Sequence, residues 1–206
     1  MKKYKKLAMF GGTFSPMHNG HLAALSAYFD KVKPDVVFVV PTAIPPHKER
    51  DDSVSDSDRL EMIRLAVDNL RIKNNVVVSD IEFKRGGKSY TVDTVEAFLE
   101  IAEEVCFFCG TDMLLTVDSW YKHEKLLRMA SVAYMQREDD SRYAEKLSAK
   151  AKKLNEKYGT EIVALPPISA EISSSMVRRA IKEGKEISEF VPANVAKYIL
   201  KNGLYR

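Results

Sequence analysis

Long hydrophobic runs are absent from this sequence of 206 residues. No stretch approaches the roughly 20 apolar residues that a membrane-spanning helix requires. The basic residues 1–6 are followed by only four apolar residues, 7–10, before two glycines, and this run is too short for the apolar core of a signal peptide. We therefore expect a cytoplasmic protein with no membrane partner.

The sequence also lacks a strong excess of either charge. It has 32 Lys and Arg residues against 29 Asp and Glu residues, a formal net charge of +3. This balance, without a basic stripe, argues against nucleic acid as a partner. A hydrophobic content of 45% and a charged content of 30% are typical of globular proteins. The length suits one α/β domain, and no repeat or linker divides it.

Cysteine is scarce as well, because the chain has only two, Cys106 and Cys109. Their C-x-x-C spacing is compatible with a redox or metal-binding pair. They lie, however, in an apolar stretch that predicts a buried strand, and side chains an odd number of positions apart face opposite sides of a strand. We therefore predict two buried structural thiols rather than a disulfide or a shared metal.

Residues 11–21, with the sequence GGTFSPMHNGH, combine two glycines and two histidines. An apolar run precedes them and helical apolar spacing follows, which predicts a strand, a glycine turn and a helix. Gly11 and Gly12 allow the backbone to approach a ligand, and the start of a helix favours phosphate. His18 and His21 can project from the same side of the first helical turn and donate hydrogen bonds to phosphate oxygens.

Three other interpretations of this stretch compete with phosphate binding. The two histidines could bind zinc, but that needs a third ligand, and no further Cys, His, Asp or Glu lies nearby at ligand spacing. They could be ordinary surface histidines, and the glycines could form only a tight turn. The combination of strand, paired glycines, two histidines and helix favours phosphate binding over all three.

A second candidate loop follows the next predicted strand. Residues 36–40 are a continuous apolar run, typical of a parallel strand that is covered on both faces. With the first strand and helix they form a βαβ unit, whose ligands bind beyond the carboxyl ends of the strands. Residues 41–48 leave that edge, held extended by prolines, so His47 and Lys48 are expected beside the phosphate site.

Two more predicted helix starts carry groups that suit a nucleotide. Thr91 is expected to be the N-cap of one helix. The serines at 173–175 open another, so that hydroxyls and free amides converge. Arg178 lies three positions after Ser175, on the same side of the helix, and can bind phosphate oxygens. Simple capping with a surface arginine explains the same residues.

Two polar or aromatic candidates follow the strand that contains the cysteines. Asp112 lies just past the expected strand end, where it can hydrogen-bond sugar hydroxyls or a nucleotide amide. Trp120 is the only tryptophan in the chain and could stack on a cationic ring. Packing in the core is the competing interpretation of this tryptophan, and the residues alone leave both open.

Taken together, these motifs resemble those of a known family. GGTFSPMHNGH resembles GGTFDPxHxGH, the signature of the HxGH nucleotidylyltransferase superfamily, with Ser15 at the position of the usual Asp. ISSSMVR at 172–178 resembles the superfamily's ISSTxIR. PPHK at 45–48 and the stretch 110–120 resemble elements of the bacterial-type nicotinate mononucleotide adenylyltransferases. The resemblance extends from about residue 7 to the C-terminus.

The resemblance implies a fold, a reaction and a set of site residues. The fold is α/β, a Rossmann-like doubly wound parallel sheet with helices on both faces, as a single nucleotidylyltransferase domain over residues 1–206 with its ISSS-helix region from about residue 170. The reaction moves AMP from ATP to nicotinate mononucleotide and forms nicotinate adenine dinucleotide and pyrophosphate in NAD biosynthesis. The implied catalytic residues are His18, His21 and Arg178. The implied ATP- and phosphate-binding residues are Gly11, Gly12, Thr13, Phe14, Gly110, Asp112, Ser173, Ser174 and Ser175. The implied acceptor-binding residues are His47, Lys48, Thr91, Trp120 and Tyr121.

Alternatives remain for the acceptor and for the class of protein. The same transfer to nicotinamide mononucleotide, or to another phosphorylated acceptor such as phosphopantetheine, uses the same chemistry. A non-catalytic nucleotide-binding module is a more distant alternative. Mg²⁺ is expected on the ATP phosphates, with no metal held by the protein itself. The sequence leaves the oligomeric state open, and a homo-oligomer is compatible with it.

Overall fold

A computed structural model describes residues 2–46, 54–137, 144–168 and 172–206. Six parallel strands form one sheet, in the spatial order β3-β2-β1-β4-β5-β6. The strands are β1 (Tyr4–Gly12), β2 (Val36–Pro41), β3 (Val76–Val78), β4 (Ala102–Gly110), β5 (Ser131–Arg137) and β6 (Ile162–Ile168). β2 and β3 lie on one side of β1, and β4, β5 and β6 lie on its other side. This order is that of a doubly wound Rossmann-like sheet and confirms the predicted fold class.

Helices connect the strands and cover both faces of the sheet. In the described residues the helices are α1 (Asn19–Val32), α2 (Asp56–Val67), α3 (Ile81–Arg85), α4 (Thr91–Leu99), α5 (Thr111–Thr116), α6 (His123–Met129), α7 (Ala144–Tyr158), α8 (Ser174–Lys182) and α9 (Ala193–Lys201). One apolar core holds residues of α1, α2, α8 and α9. A second core, on the opposite face, holds residues of α4, α5, α6 and α7. Of the helices in the described part of the chain, none is long and apolar enough to cross a membrane.

The strand alternation assigns each side chain to one of these two cores. Along β1, Ala8 and Phe10 lie in the first core, whereas Leu7 and Met9 lie in the second. The two cysteines of β4 separate in the same way, with Cys106 in the first core and Cys109 in the second. Both are free and buried, which confirms the prediction of structural thiols.

The reversal of strand order creates the crevice where ligands of such sheets bind. β1 pairs with β2 on one side and with β4 on the other, and Met9 is in register with Phe107. The carboxyl ends of β1 and β4 are therefore adjacent at the point where the winding changes direction. The loop after β1, the loop after β2 and the start of α5 all leave this edge.

Candidate active site

The two histidines of the first loop cap helix α1 through each other. His18 is the N-cap residue, and its Nδ1 accepts a hydrogen bond from the backbone N–H of His21 at 3.3 Å. In return, Nδ1 of His21 accepts the backbone N–H of His18 at 3.2 Å. The two rings stack, with their centroids 3.6 Å apart. This arrangement is a capping box in which imidazoles replace the usual serine and glutamate.

The capping box determines which ring nitrogen carries the proton. An Nδ1 atom that accepts a backbone N–H carries no proton, so the N–H of each ring is on Nε2. Burial of the ring first, and its electrostatic interaction with the stacked His18 second, lower the pKa of His21 from 6.5 to about 3. His21 is therefore a neutral hydrogen-bond donor at neutral pH. A pair of fixed Nε2–H donors at a helix N-terminus is suited to phosphate oxygens.

Phe14 packs between the core and the ring of His21. It is 2% exposed, stacks on Phe10 with centroids 5.7 Å apart and meets the edge of His21 at 5.1 Å. A Cβ at Gly12 would lie 2.7 Å from the Phe14 ring, so the glycine is required by packing as well as by any ligand. Phe14 was expected to bind ATP. Its side chain is enclosed in the core against His21, so a contact with ATP is left to its backbone and stays a prediction.

The N-terminus of α8 is attached to the same loop. Ser173 is the N-cap of α8, and its hydroxyl accepts the N–H of Met176. Ser174 donates its hydroxyl to the carbonyl of Pro16 at 2.9 Å. Arg178 donates to the carbonyl of Ser15 at 2.8 Å and to the hydroxyl of Ser175 at 3.2 Å.

Two helix N-termini therefore meet at one place. The start of α1 carries the histidine pair. The start of α8 carries Ser174 and Arg178, which contact the loop that precedes α1, and Ser175, which accepts a hydrogen bond from Arg178. Both termini carry the partial positive charge of a helix start. The structure thus brings together the predicted catalytic residues and the predicted serines in a setting that favours a polyphosphate.

Ser15, which replaces the usual Asp of the signature, is fixed by the C-terminus. Its hydroxyl hydrogen-bonds the hydroxyl of Tyr205 at 3.0 Å, and both side chains are buried. Tyr205 has a φ of 64°, in the left-handed region, which is uncommon for a bulky residue. The serine thus connects the catalytic loop to a residue that is 190 positions away.

The loop after β2 is attached to both neighbouring segments. The N–H of Thr42 donates to the carbonyl of Gly12 at 2.9 Å. The buried hydroxyl of Ser89 accepts the N–H groups of Ala43 at 2.9 Å and Ile44 at 3.3 Å. The loop therefore runs between the β1 loop and the start of α4. His47 and Lys48, predicted to contact the acceptor, lie outside the described residues.

The prediction that Thr91 caps α4 is wrong. Tyr90 is the N-cap residue, Thr91 is the first residue of the helix, and no side chain makes a capping hydrogen bond. The carbonyl of Tyr90 accepts the N–H groups of Asp93 and Thr94, because the chain is still extended at Tyr90. Thr91 nevertheless remains at the N-terminus of α4, at the edge of the sheet.

An aromatic pair lies next to this helix start. The rings of Tyr90 and Tyr121 are 4.3 Å apart between centroids, and Tyr121 is 47% exposed. The ammonium of Lys122 lies 4.9 Å from the centroid of Tyr121. Trp120 is half-buried and packs against Phe107 of β4, with centroids 6.2 Å apart. The structure therefore brings Thr91 and Tyr121 to one place and gives Trp120 one face in the core.

The end of β4 leaves open space at the same edge. Gly110 is the N-cap of α5, and a Cβ built on it meets nothing within 4 Å. Asp112 lies in the exposed first turn of α5. Among the large exposed hydrophobic side chains of the described residues, four belong to loops or helix starts at this edge, namely Ile44, Met113, Tyr121 and Met176. An apolar rim around polar helix starts suits a ligand with rings and phosphates.

Sequence reasoning missed three residues that position these segments. Ser89 fixes the loop after β2, Tyr90 packs against Tyr121, and Arg59 makes hydrogen bonds to two site loops. Arg59 lies in what the periodicity indicates is an ordinary packing helix. The stretch from Arg59 also resembles the family's RxxMxxxA helix, but that resemblance assigned the arginine no role in the site. Within the described parts of the chain, no group of three or more His, Cys, Asp or Glu residues could hold a metal ion.

The fold and the paired helix N-termini define a nucleotide-binding α/β protein. A model of the cytidylyltransferase-like family matches residues 9–180, which is most of the chain. The protein therefore belongs to the cytidylyltransferase-like family, and the prediction of a nucleotidylyltransferase is confirmed.

Solved structures give the same fold. A Plasmodium falciparum nicotinic acid mononucleotide adenylyltransferase complexed with NaAD is 21% identical, with a TM-score of 0.79 over 98% of this chain and 97% of that chain. The Plasmodium falciparum enzyme complexed with APC is also 21% identical, with a TM-score of 0.77 over the same shares of the two chains. At this identity, the likeness supports the Rossmann-like architecture over the whole chain.

Proposed function

We propose that this protein transfers AMP from ATP to nicotinate mononucleotide, forming nicotinate adenine dinucleotide and pyrophosphate in NAD biosynthesis. The observation that carries the proposal is the reciprocal capping of His18 and His21 at a helix N-terminus that Arg178 contacts through the loop. A purely binding site needs only amides and a cation. Two fixed imidazole N–H donors beside them suit a phosphoryl group whose charge changes during the reaction.

The proposed reaction is a direct in-line displacement at the α-phosphorus of ATP. A phosphate oxygen of the acceptor forms the new bond to this phosphorus. The bond from the phosphorus to the oxygen that bridges the α- and β-phosphates breaks, and pyrophosphate leaves with the electron pair. The attacking phosphate is already anionic, so no general base has to remove a proton. Catalysis then consists of alignment and charge stabilisation.

In this mechanism, the residues at the start of α1 and those at the start of α8 bind different phosphates of ATP. The Nε2–H groups of His18 and His21 donate to the α-phosphate as its charge is redistributed. Ser174, Ser175 and Arg178, with the amides at the start of α8, hold the leaving pyrophosphate. ATP enters as its Mg²⁺ complex, and the ion stays on the phosphates, because Mg²⁺ is commonly bound through substrate phosphates rather than in an all-protein cage.

The acceptor binds on the opposite side, between the loop after β2 and the start of α4. The N-terminal amides of α4 beside Thr91 suit the ring carboxylate. Tyr121, which is exposed and packs in a tilted contact against Tyr90, and the free face of Trp120 suit the pyridinium ring. We assign the acceptor phosphate to His47 and Lys48 from the PPHK resemblance. The names of the Plasmodium structures favour the same acceptor.

The same reasoning extends to the organisation of the chain and its cellular location. We propose that residues 1–206 act as one nucleotidylyltransferase domain, because α8 and α9 pack in the same core as α1 and α2. Two free buried thiols and a reaction that uses ATP favour the cytoplasm, where thiols stay reduced. A homo-oligomer remains a proposal that size-exclusion chromatography with light scattering can test.

Pyrophosphate release from Mg²⁺-ATP tests the proposed function, with nicotinate mononucleotide and nicotinamide mononucleotide supplied in parallel. Release that is much faster with the acid supports both the reaction and the acceptor. Equal or reversed preference keeps the adenylyl transfer and overturns the assignment of the ring pocket. If neither compound supports release, the pyridine nucleotides are excluded as acceptors, and the assay is repeated with phosphopantetheine. ATP binding without any release supports the non-catalytic module instead.

A further inference from the structure

Arg59 is the largest fully buried side chain in the described residues, with 1% of its surface exposed. It lies in the first turns of α2, a helix that otherwise buries apolar residues such as Met62 and Ile63. A guanidinium is charged at any pH that a protein tolerates, and burying it is costly unless its donors are hydrogen-bonded. The partners of Arg59 therefore indicate what the residue is for.

Those partners belong to two different substrate loops. Nε and Nη2 of Arg59 donate to the carbonyl of Thr13 at 3.2 and 2.6 Å. Nη2 also donates to the carbonyl of Thr42 at 2.7 Å. Thr13 lies in the loop that leads to the histidine pair, and Thr42 begins the loop that leads toward His47 and Lys48. One planar group therefore contacts the backbone of both loops.

Two further contacts fix the guanidinium itself. Nη1 donates to the carboxylate of Asp56 at 3.1 Å, one turn earlier on the same helix. The guanidinium carbon lies 5.1 Å from the ring centroid of Phe83 in α3, within the range of a cation–π contact. The side chain is thus held from α2 and α3 while it holds the two loops.

We infer that Arg59 is a positioning residue for the transfer reaction, setting the separation between the ATP loop and the acceptor loop. This inference rests on the proposed function, in which the ATP loop binds the α-phosphate and the acceptor loop carries the attacking phosphate. In-line attack requires both reacting groups at a fixed distance and angle. A rigid bridge between the two backbones supplies that constraint without touching either substrate.

Packing alone does not account for an arginine at this place. A buried ionic group often stabilises a fold no more than an apolar residue of similar volume. The arginine differs from such a residue in its fork of donors, which reaches several acceptors in a fixed geometry. Lysine offers one compact ammonium and cannot reproduce the contacts to Thr13, Thr42 and Asp56 together.

Two variants and one control test the inference. Arg59→Met keeps the side-chain volume but removes the hydrogen bonds to both loops. Arg59→Lys keeps the positive charge but loses the planar set of guanidinium donors. Arg64→Met is the control, since Arg64 lies on the same helix, is 56% exposed and pairs only with Glu61 at 3.6 Å among the contacts in the described residues. Circular dichroism melting of each protein establishes that it is folded at the assay temperature.

The expected result is a split between kcat and KM. Arg59→Met lowers kcat by about a hundredfold, the cost of a displacement near 1 Å between reacting groups. KM for ATP and for the acceptor changes by less than about fivefold, because the groups that bind each substrate remain. Arg59→Lys falls between wild type and Arg59→Met, and Arg64→Met matches wild type. An Arg59→Met kcat within about twofold of wild type, measured on folded protein, overturns the inference.

Amide hydrogen exchange gives a readout that does not depend on activity. In Arg59→Met, the amides of residues 13–18 other than Pro16, and those of residues 42–44, should exchange faster than in wild type, and both segments should change together. Faster exchange in one segment alone, or equally throughout α2, means that Arg59 supports one loop or the helix only, and the inference fails. A wild-type protein that releases no pyrophosphate defeats the proposed function, whereas the exchange result still decides whether Arg59 couples the two loops.

Discussion

Lowering the pH below 6.5 should lower the free energy of unfolding of this protein, because His21 resists protonation in the folded state. Its pKa is lowered from 6.5 to about 3, by burial first and by His18 second. Between these values the unfolded chain binds a proton that the folded protein does not bind. The contribution of His21 is therefore fully present above pH 6.5 and is lost as the pH falls toward the folded pKa.

The magnitude follows from this difference in proton binding. Each pH unit below the unfolded pKa removes about 1.4 kcal/mol of unfolding free energy. From a pH of about 8 to a pH of about 5, the loss that is due to His21 is therefore about 2 kcal/mol. This figure holds for any folded pKa well below 5, so it does not depend on the exact depth of the shift.

Urea denaturation of wild type and of His21→Gln at these two pH values measures the effect. Glutamine can accept the N–H of His18 as the third residue of a capping box, but it does not titrate. Contributions from carboxylates are common to both proteins and cancel in the difference. The wild type should lose about 2 kcal/mol more than the variant on acidification.

An independent assay follows the ring itself. With four histidines in the chain, the imidazole NMR signals can be assigned by single substitutions. The signal of His21 should not titrate between a pH of about 8 and a pH of about 5. An inflection near 6.5, or equal losses of stability in the two proteins, would refute a neutral His21 in the capping box.

Three further predictions concern the site and the core. His18→Ala should lower kcat for pyrophosphate release about a hundredfold or more, the usual cost of one preorganised donor, and near-normal turnover would contradict the phosphate role. Trp120→Ala should raise KM for the acceptor more than KM for ATP, and an effect confined to ATP would remove the tryptophan from the acceptor site. Tyr205→Phe, which deletes the buried hydrogen bond to the catalytic loop, should cost about 1 kcal/mol of unfolding free energy, measured by urea denaturation, whereas an unchanged midpoint would show that the bond is dispensable.

Much of the fold was predictable because its signals are local. The apolar run at 36–40 and the strand–glycine–helix pattern at 7–25 each depend on residues close together in the chain. The consecutive serines at 173–175 place a helix start where α8 begins, one residue after its N-cap Ser173. Cys106 and Cys109 lie in opposite cores because strand geometry alone separates them.

The candidate site was predictable in part, for the same reason. His18 and His21 meet because three residues span one helical turn, and Arg178 reaches Ser175 for that reason too. Thr91 was misplaced by one position, because the extended chain at Tyr90 decides where α4 begins. The roles of His47 and Lys48 stay predictions.

The sequence by itself determined the strand–loop–helix geometry of the predicted phosphate loop, the parallel βαβ order and the face on which each strand residue lies, since these depend on short-range geometry. Only the tertiary structure decided that Arg59 is buried between two loops, that Tyr90 packs against Tyr121 and that Tyr205 hydrogen-bonds Ser15 across 190 positions. Such contacts depend on how helices and loops from distant parts of the chain pack at one sheet edge. Periodicity and spacing along the chain do not predict that packing, because the partners of a buried polar group depend on which distant segments the folded chain brings next to it.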